Sequence, residues 1–211
     1  MTARRGGARA GRFLVLEGID GAGTTTQAQA LAAELRREGR GVHVTREPSE
    51  GAIGTLIRRA LIGQHDFAPG AMALLFAADR VDHLSSEIEP ALARGEVVLC
   101  DRYLLSSLAY QGAQLPIEWV ETLNALAVPP DLTLFLEVGA ATAANRRAGR
   151  GGAAELYDAD ELQRKIARGY LAAIRRRARQ ERIVRIDGEL PVEEVTSRAM
   201  TKIRKILPRR R

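Results

Sequence analysis

The sequence predicts an α/β fold, with a five-stranded parallel sheet and helices on both faces. Apolar runs recur at residues 13–16, 42–44, 97–100, 132–138 and 183–186, each about the length of one strand. Helical patterns at about 24–38, 53–62, 70–94, 116–127, 160–181 and 191–206 separate them. Strands that alternate with helices need crossover connections, and crossovers align the strands and cover both faces of the sheet. The 211 residues show no internal repeat and no linker of domain-separating length, so one core is expected. That domain is placed at 13–207, between a flexible basic arm at 1–12 and a basic tail at 208–211.

The first run leads into Glu17-Gly-Ile-Asp-Gly-Ala-Gly-Thr-Thr-Thr26, and a helical pattern comes directly after it. Ala28, Leu31, Ala32 and Leu35 recur at 3.6-residue spacing, and Gly39 suits the C-terminal cap. Strand, glycine-rich turn and helix, with Gly18 and Gly23 at this spacing, describe a phosphate-binding P-loop. Such a loop turns successive backbone N–H groups inward and puts the positive end of a helix behind them. Thr25 stands where a Ser or Thr normally ligates Mg²⁺. Thr24 stands where the pattern demands Lys.

In an α/β sheet ligands sit at the carboxyl ends of strands, so the residues just past each strand carry the chemistry. The second strand runs into Thr45-Arg-Glu-Pro48 and then Gly51-Ala-Ile-Gly54. The third runs into Asp101-Arg-Tyr-Leu-Leu-Ser-Ser-Leu-Ala-Tyr-Gln-Gly112, and the fourth leads to Asn145-Arg-Arg-Ala-Gly-Arg150. An Asp directly after an apolar strand is the Walker B arrangement, able to hold Mg²⁺ or its water shell. Arginines from different strands suit a second anionic group, because their planar donors match phosphate geometry. Two phosphate sites facing each other across a metal describe a kinase acting on a phosphorylated acceptor.

Composition excludes several other classes. The 45% apolar content is that of a globular protein. The net charge of +6 traces to Arg4, Arg5, Arg9 and Arg12 and to Arg209, Arg210 and Arg211 at the other end. The body is near neutral, so a nucleic-acid-binding domain is not indicated. A basic stretch between Gln163 and Arg185 reads as a solvated helix face, with a field that draws in anionic substrate as the alternative. Cys100 stands alone, so no disulfide framework exists, and at the end of an apolar strand it reads as a buried small hydrophobe. No apolar run is long enough to span a membrane and no signal-peptide core is seen, so a cytoplasmic location is expected.

The block Asp101–Gly112 resembles the signature of thymidylate kinases: Asp-Arg-Tyr/Phe, then Ser, then Ala-Tyr-Gln-Gly. Thr45-Arg-Glu-Pro48 and Leu75-Phe-Ala-Ala-Asp-Arg80 resemble that family's other two acceptor-site motifs, in the same order and spacing. Gly21, where animal and yeast members carry Arg, resembles the bacterial type, in which arginines of a mobile lid serve instead. The resemblance implies a three-layer P-loop kinase fold with a short mobile lid at about 145–157. It implies ATP- and magnesium-dependent phosphorylation of dTMP to dTDP in dTTP biosynthesis, by a homodimer whose interface is expected on the long 70–94 helix.

Residue roles come from the same resemblance. Gly18, Ile19, Asp20, Gly21, Ala22, Gly23, Thr24, Thr25 and Thr26 would hold ATP, with Thr25 and Asp101 on the metal. Arg46 and Arg102 would bind the dTMP phosphate, and Asp20 would sit near its sugar and phosphate. Phe76 would stack on thymine, and Arg80 would bond a base carbonyl. Ser106 and Gln111 would contact the base, while Tyr110 would crowd the sugar against a ribose 2′-OH. Asp101, Arg102, Thr25, Arg146 and Arg150 form the expected catalytic set.

Two departures from the family pattern stand out. The lid has Ala154-Glu155 where relatives often have Asp-Arg, and the P-loop has Thr24 for Lys. The lysines of the chain, Lys165, Lys202 and Lys205, lie far from the loop on presumed helices, so a lid arginine such as Arg150 is expected to supply the charge. The alternatives are a catalytically impaired nucleotide-binding pseudo-kinase and a kinase of another nucleoside monophosphate.

Overall fold

The computed structural model describes residues 10–149, 156–157 and 160–208. Five strands form one sheet: β1 (Arg12–Glu17), β2 (Val42–Arg46), β3 (Val97–Asp101), β4 (Leu132–Glu137) and β5 (Ile183–Asp187). All pairings are parallel and the order is β2-β3-β1-β4-β5. The central strands are buried on both faces. Every residue of β3 is buried, whereas the edge strands β2 and β5 are half-exposed.

The helices are α1 (Thr24–Arg37), α2 (Ala52–Leu61), α3 (Pro69–His83), α4 (Glu89–Ala93) and α5 (Leu104–Tyr110). They continue as α6 (Ile117–Leu123), α7 (Ala140–Ala148), α8 (Asp160–Arg177) and α9 (Val192–Arg204). From β1 the chain crosses to β2 in one direction, and every later crossover runs the other way. Right-handed crossovers therefore put α1 on one face and α2 to α8 on the other. α9 returns to pack on α1, where Gln27 donates to the Val192 carbonyl and accepts from Thr196. The reversal at β1 and β3 creates the crevice between their carboxyl ends. Register sets its floor: Leu16 and Arg46 both lie opposite Asp101.

Some elements differ from the sequence expectation. The 70–94 helix is broken into α3, a π-turn at Leu84–Ile88, and α4. Pro90 has no N–H to give, and the Glu89 N–H reaches back five residues to the Leu84 carbonyl. The helix expected over 116–127 ends at Leu123. Two further helices, α5 and α7, lie outside the expected set. α5 is buried nearly all round, and α7 is mostly alanine with only Ala143 buried. Period-based reading finds a helix only when one face differs from the other. Cys100 is fully buried, as expected of a small hydrophobe.

Candidate active site

A cavity of about 810 Å³ occupies the crevice and is lined by the P-loop, the ends of β2 and β3, α2, α3, α5 and the α7 end. At the P-loop, Gly21 and Gly23 both take φ of +92°, a conformation open to glycine at little cost. A Cβ on Gly21 would stand 2.4 Å from the Ala143 carbonyl oxygen of α7, so no side chain fits there while α7 stays in place. The Arg that animal and yeast members carry at this position is therefore excluded by the α7 backbone.

Thr25 Oγ1 donates to Asp101 Oδ2 at 2.5 Å, joining the start of α1 to the end of β3. The other oxygen, Asp101 Oδ1, is buried without a partner. Among the described residues no group of three metal-type side chains comes together. A hydroxyl and one carboxylate whose Oδ1 is orphaned, beside a phosphate cradle, nevertheless fit Mg²⁺, which keeps waters and takes its remaining ligands from phosphates. Thr24 is buried at the base of the cavity and brings no positive charge.

Arg102 stands at the other side of the loop. Its Nη2 donates to Asp20 Oδ1 at 2.6 Å, and its Nη1 reaches Gly18 O, Tyr110 Oη and Tyr170 Oη at 3.0–3.2 Å. Burial alone would raise the Asp20 pKa, but Arg102 and a bond from Gln163 hold it below the usual carboxylate range. Tyr110 is buried, and burial pushes its phenol up, so its hydroxyl stays protonated. Its ring lies under the Arg102 guanidinium at 5.3 Å and edge-on to Tyr157 at 5.2 Å.

Arg46 extends from the end of β2 into the cavity mouth, exposed and paired with Glu50 at 2.5 Å. Arg58 of α2 meets the same Glu50 and donates to the Pro48 and Ser49 carbonyls. It lines the cavity although no motif announced it. Phe76 lines the same cavity, half-buried. Arg80 is almost fully buried, and its five N–H donors all go to protein: Glu47 twice, Ser107, Asn124 and the Tyr103 carbonyl. A bond from Arg80 to a base carbonyl, as the family resemblance expects, therefore requires one of these partners to be exchanged. Ser106 and Gln111 line the cavity, and Gln111 Oε1 is buried without a partner.

Several supporting residues were given no role by the sequence, although Asp79 and Gly54 fall inside its motifs. Asp79 takes the Ser49 N–H at 2.8 Å and its hydroxyl at 2.6 Å, which fixes the loop after the cis Glu47–Pro48 peptide. Gly54 is required beneath that loop, because a Cβ would lie 2.0 Å from the Ser49 carbonyl oxygen. Glu17 closes an apolar run, and that polar ending was its one local signal. Gln163, Tyr157 and Tyr170 come from distant sequence and had none.

Of the lid, Arg146 lines the cavity with both Nη atoms on the Gly188 carbonyl at 3.0 Å. Arg147 donates to the Asp20 carbonyl at 2.9 Å. Arg150 lies outside the described residues, as do residues 151–155 of the lid and the basic residues of 1–9 and 209–211. No helix among the described residues is long and apolar enough to cross a membrane.

A family model described as thymidylate kinase matches residues 16–199. A probable thymidylate kinase of Pyrococcus abyssi is 45% identical over 167 residues, covering 76% of this chain and 82% of the relative. One from Caldivirga maquilingensis is 38% identical over 193 residues, covering 90% and 92%. A thymidylate kinase of Thermomicrobium roseum is 38% identical over 206 residues, covering 94% and 97%. The relatives are mostly archaeal, and the last is bacterial.

Proposed function

The chain belongs to the thymidylate kinase family, and from that premise we infer that it phosphorylates dTMP to dTDP with ATP as donor. One observation supports the reading above others. A Thr–Asp pair at a P-loop and an Arg–Asp pair on the neighbouring turn share one cavity, about right for two nucleotides meeting end to end.

Residues 18–26 cradle the donor phosphates through backbone N–H groups and the start of α1. Thr25 and Asp101 would hold a magnesium ion, which when bound would neutralise phosphate charge. Arg46 and Arg102 bind the acceptor phosphate, joined by Arg58. Phe76 stacks on the base, Ser106 and Gln111 contact it, and Tyr110 crowds the sugar. A monophosphate dianion is nucleophilic at neutral pH, so no general base is needed. Catalysis is positioning plus charge stabilisation.

The hydroxyl of Thr24 cannot carry the charge of a P-loop Lys. Loss of one such stabiliser typically costs about 2.7–4 kcal/mol in transition-state binding. Lid arginines, Arg150 first and Arg146 beside it, supply the compensating charge. The lid spans about 145–157 within a domain of 13–207 that works in the cytoplasm. A homodimer would use the exposed α3 face that carries Leu74 and Val81.

A coupled assay with ATP, Mg²⁺ and a panel of monophosphates tests the reading. ADP release should depend on dTMP and on Mg²⁺. Binding of dTMP without turnover would mark a pseudo-kinase, and faster turnover of another monophosphate would reassign the acceptor.

A further inference from the structure

Glu17, the last residue of β1, is a fully buried carboxylate that no role above uses. Its Oε1 accepts the backbone N–H groups of Tyr103 at 3.0 Å and Ser106 at 3.1 Å. Its Oε2 accepts the Ser106 hydroxyl at 2.6 Å and the Tyr170 hydroxyl at 3.0 Å. Tyr103 is the N-cap of α5 and Ser106 its third residue, and no side chain of α5 caps that end. The carboxylate of another element therefore satisfies N–H groups that a helix start leaves open, where negative charge is also favoured by the helix dipole. An ionised carboxylate offers about four lone-pair sites and no proton, so all four donors fit only the charged form. Burial pushes the Glu17 pKa up, opposed by the Ser106 bond and the nearby Arg102.

The arrangement reaches Arg102 by two routes. Arg102 has φ of 71°, alone among non-glycine described residues in taking a positive value. Such a backbone persists only when its surroundings over-determine it. Leu16 O accepts the Arg102 N–H at 2.8 Å, and Glu17 takes the very next N–H, so both sides of the turn are tied to β1. The second route is hydroxyl polarity. The Tyr170 proton points at Glu17, beside the Ser106 hydroxyl 2.8 Å away, which leaves its oxygen to accept from Arg102 Nη1 at 3.2 Å. Arg102 Nη1 also donates back to the carbonyl of Gly18, the first P-loop residue.

We propose that Glu17 is a positioning residue for phosphoryl transfer. From the strand that launches the P-loop, its carboxylate clamps the Arg102 turn and dictates which way the Ser106 and Tyr170 hydroxyls point. Donor cradle and acceptor arginine are thereby held in one register, a role that rests on the dTMP kinase reading. Glu17→Gln is nearly isosteric, but its amide nitrogen would donate to both hydroxyls. One hydroxyl proton must then turn toward Arg102 or the cavity.

The test uses the full chain with ATP, Mg²⁺ and dTMP, and compares Glu17→Gln, Tyr170→Phe and the double variant by kinetics and thermal melts. Glu17→Gln should melt cooperatively, with unchanged KM for ATP, raised KM for dTMP and kcat lower by roughly tenfold to a hundredfold. Tyr170→Phe should show the same split more weakly. The double variant should be no worse than Glu17→Gln, because both act through one set of contacts. Wild-type constants for Glu17→Gln, an equal rise in both KM values, or additive losses would overturn the proposal. Should Glu17→Gln fail to fold, Tyr170→Phe decides: the split supports the role and wild-type constants refute it. A wild type without dTMP-dependent ADP release would instead overturn the functional reading.

Discussion

Gly21→Ala separates close approach from backbone strain, because Gly23 provides a control with the same φ of +92°. At Gly21 the new Cβ would meet Ala143 O at 2.4 Å, and at Gly23 it would meet nothing within 4 Å. An L-residue in the left-handed region costs about 1–2 kcal/mol. Forcing a methyl into packed backbone adds about 1–3 kcal/mol. Gly21→Ala should therefore lose about 2–5 kcal/mol, and Gly23→Ala only the strain portion. For a domain of this length the Tm should fall by roughly 4–20 °C for Gly21→Ala, read by calorimetry beside the Gly23 variant. The displaced α7 carries Arg146 and Arg147, so turnover should fall with stability. Equal Tm losses for the two variants would refute the α7 contact as the reason for glycine at 21.

Further outcomes concern the same site. Thr24→Lys should leave turnover similar or raise it, while Arg150→Ala should nearly abolish it. A silent Arg150→Ala in the coupled assay would end the compensation idea. Arg80→Met takes the short ion pair from the buried Glu47, leaving it only His83 Nδ1 at 3.5 Å, and should cost about 3–5 kcal/mol in denaturant melts. Asp20 has a pKa lowered by Arg102 against the pull of burial, so its stabilisation is present above the unfolded value of about 3.9 and is lost as pH falls through the folded value. Asp20→Asn should flatten the acid limb of a Tm-against-pH curve below that point.

Short apolar runs and Gly18, Gly23, Asp101 and Arg102 made the sheet, the P-loop and the Walker B position legible in the chain. Strands and a phosphate loop are local devices: strand spacing, glycine conformation and the residue after a strand are written in consecutive letters. Helices α5 and α7 were illegible, since one is buried nearly all round and the other has no large apolar residue to mark a face. Arg58, Gln163, Tyr170 and Glu17 matter only because parallel crossovers bring distant segments to one sheet edge. Arg80 shows the limit most plainly. Its motif was readable, yet only the packed structure showed that Glu47, Ser107, Asn124 and the Tyr103 carbonyl take all its donors. By itself the chain determined which chemistry gathers at the strand ends. Tertiary packing decided which of those groups face the cavity and which hold the others in place, because a buried donor is committed by its three-dimensional neighbours.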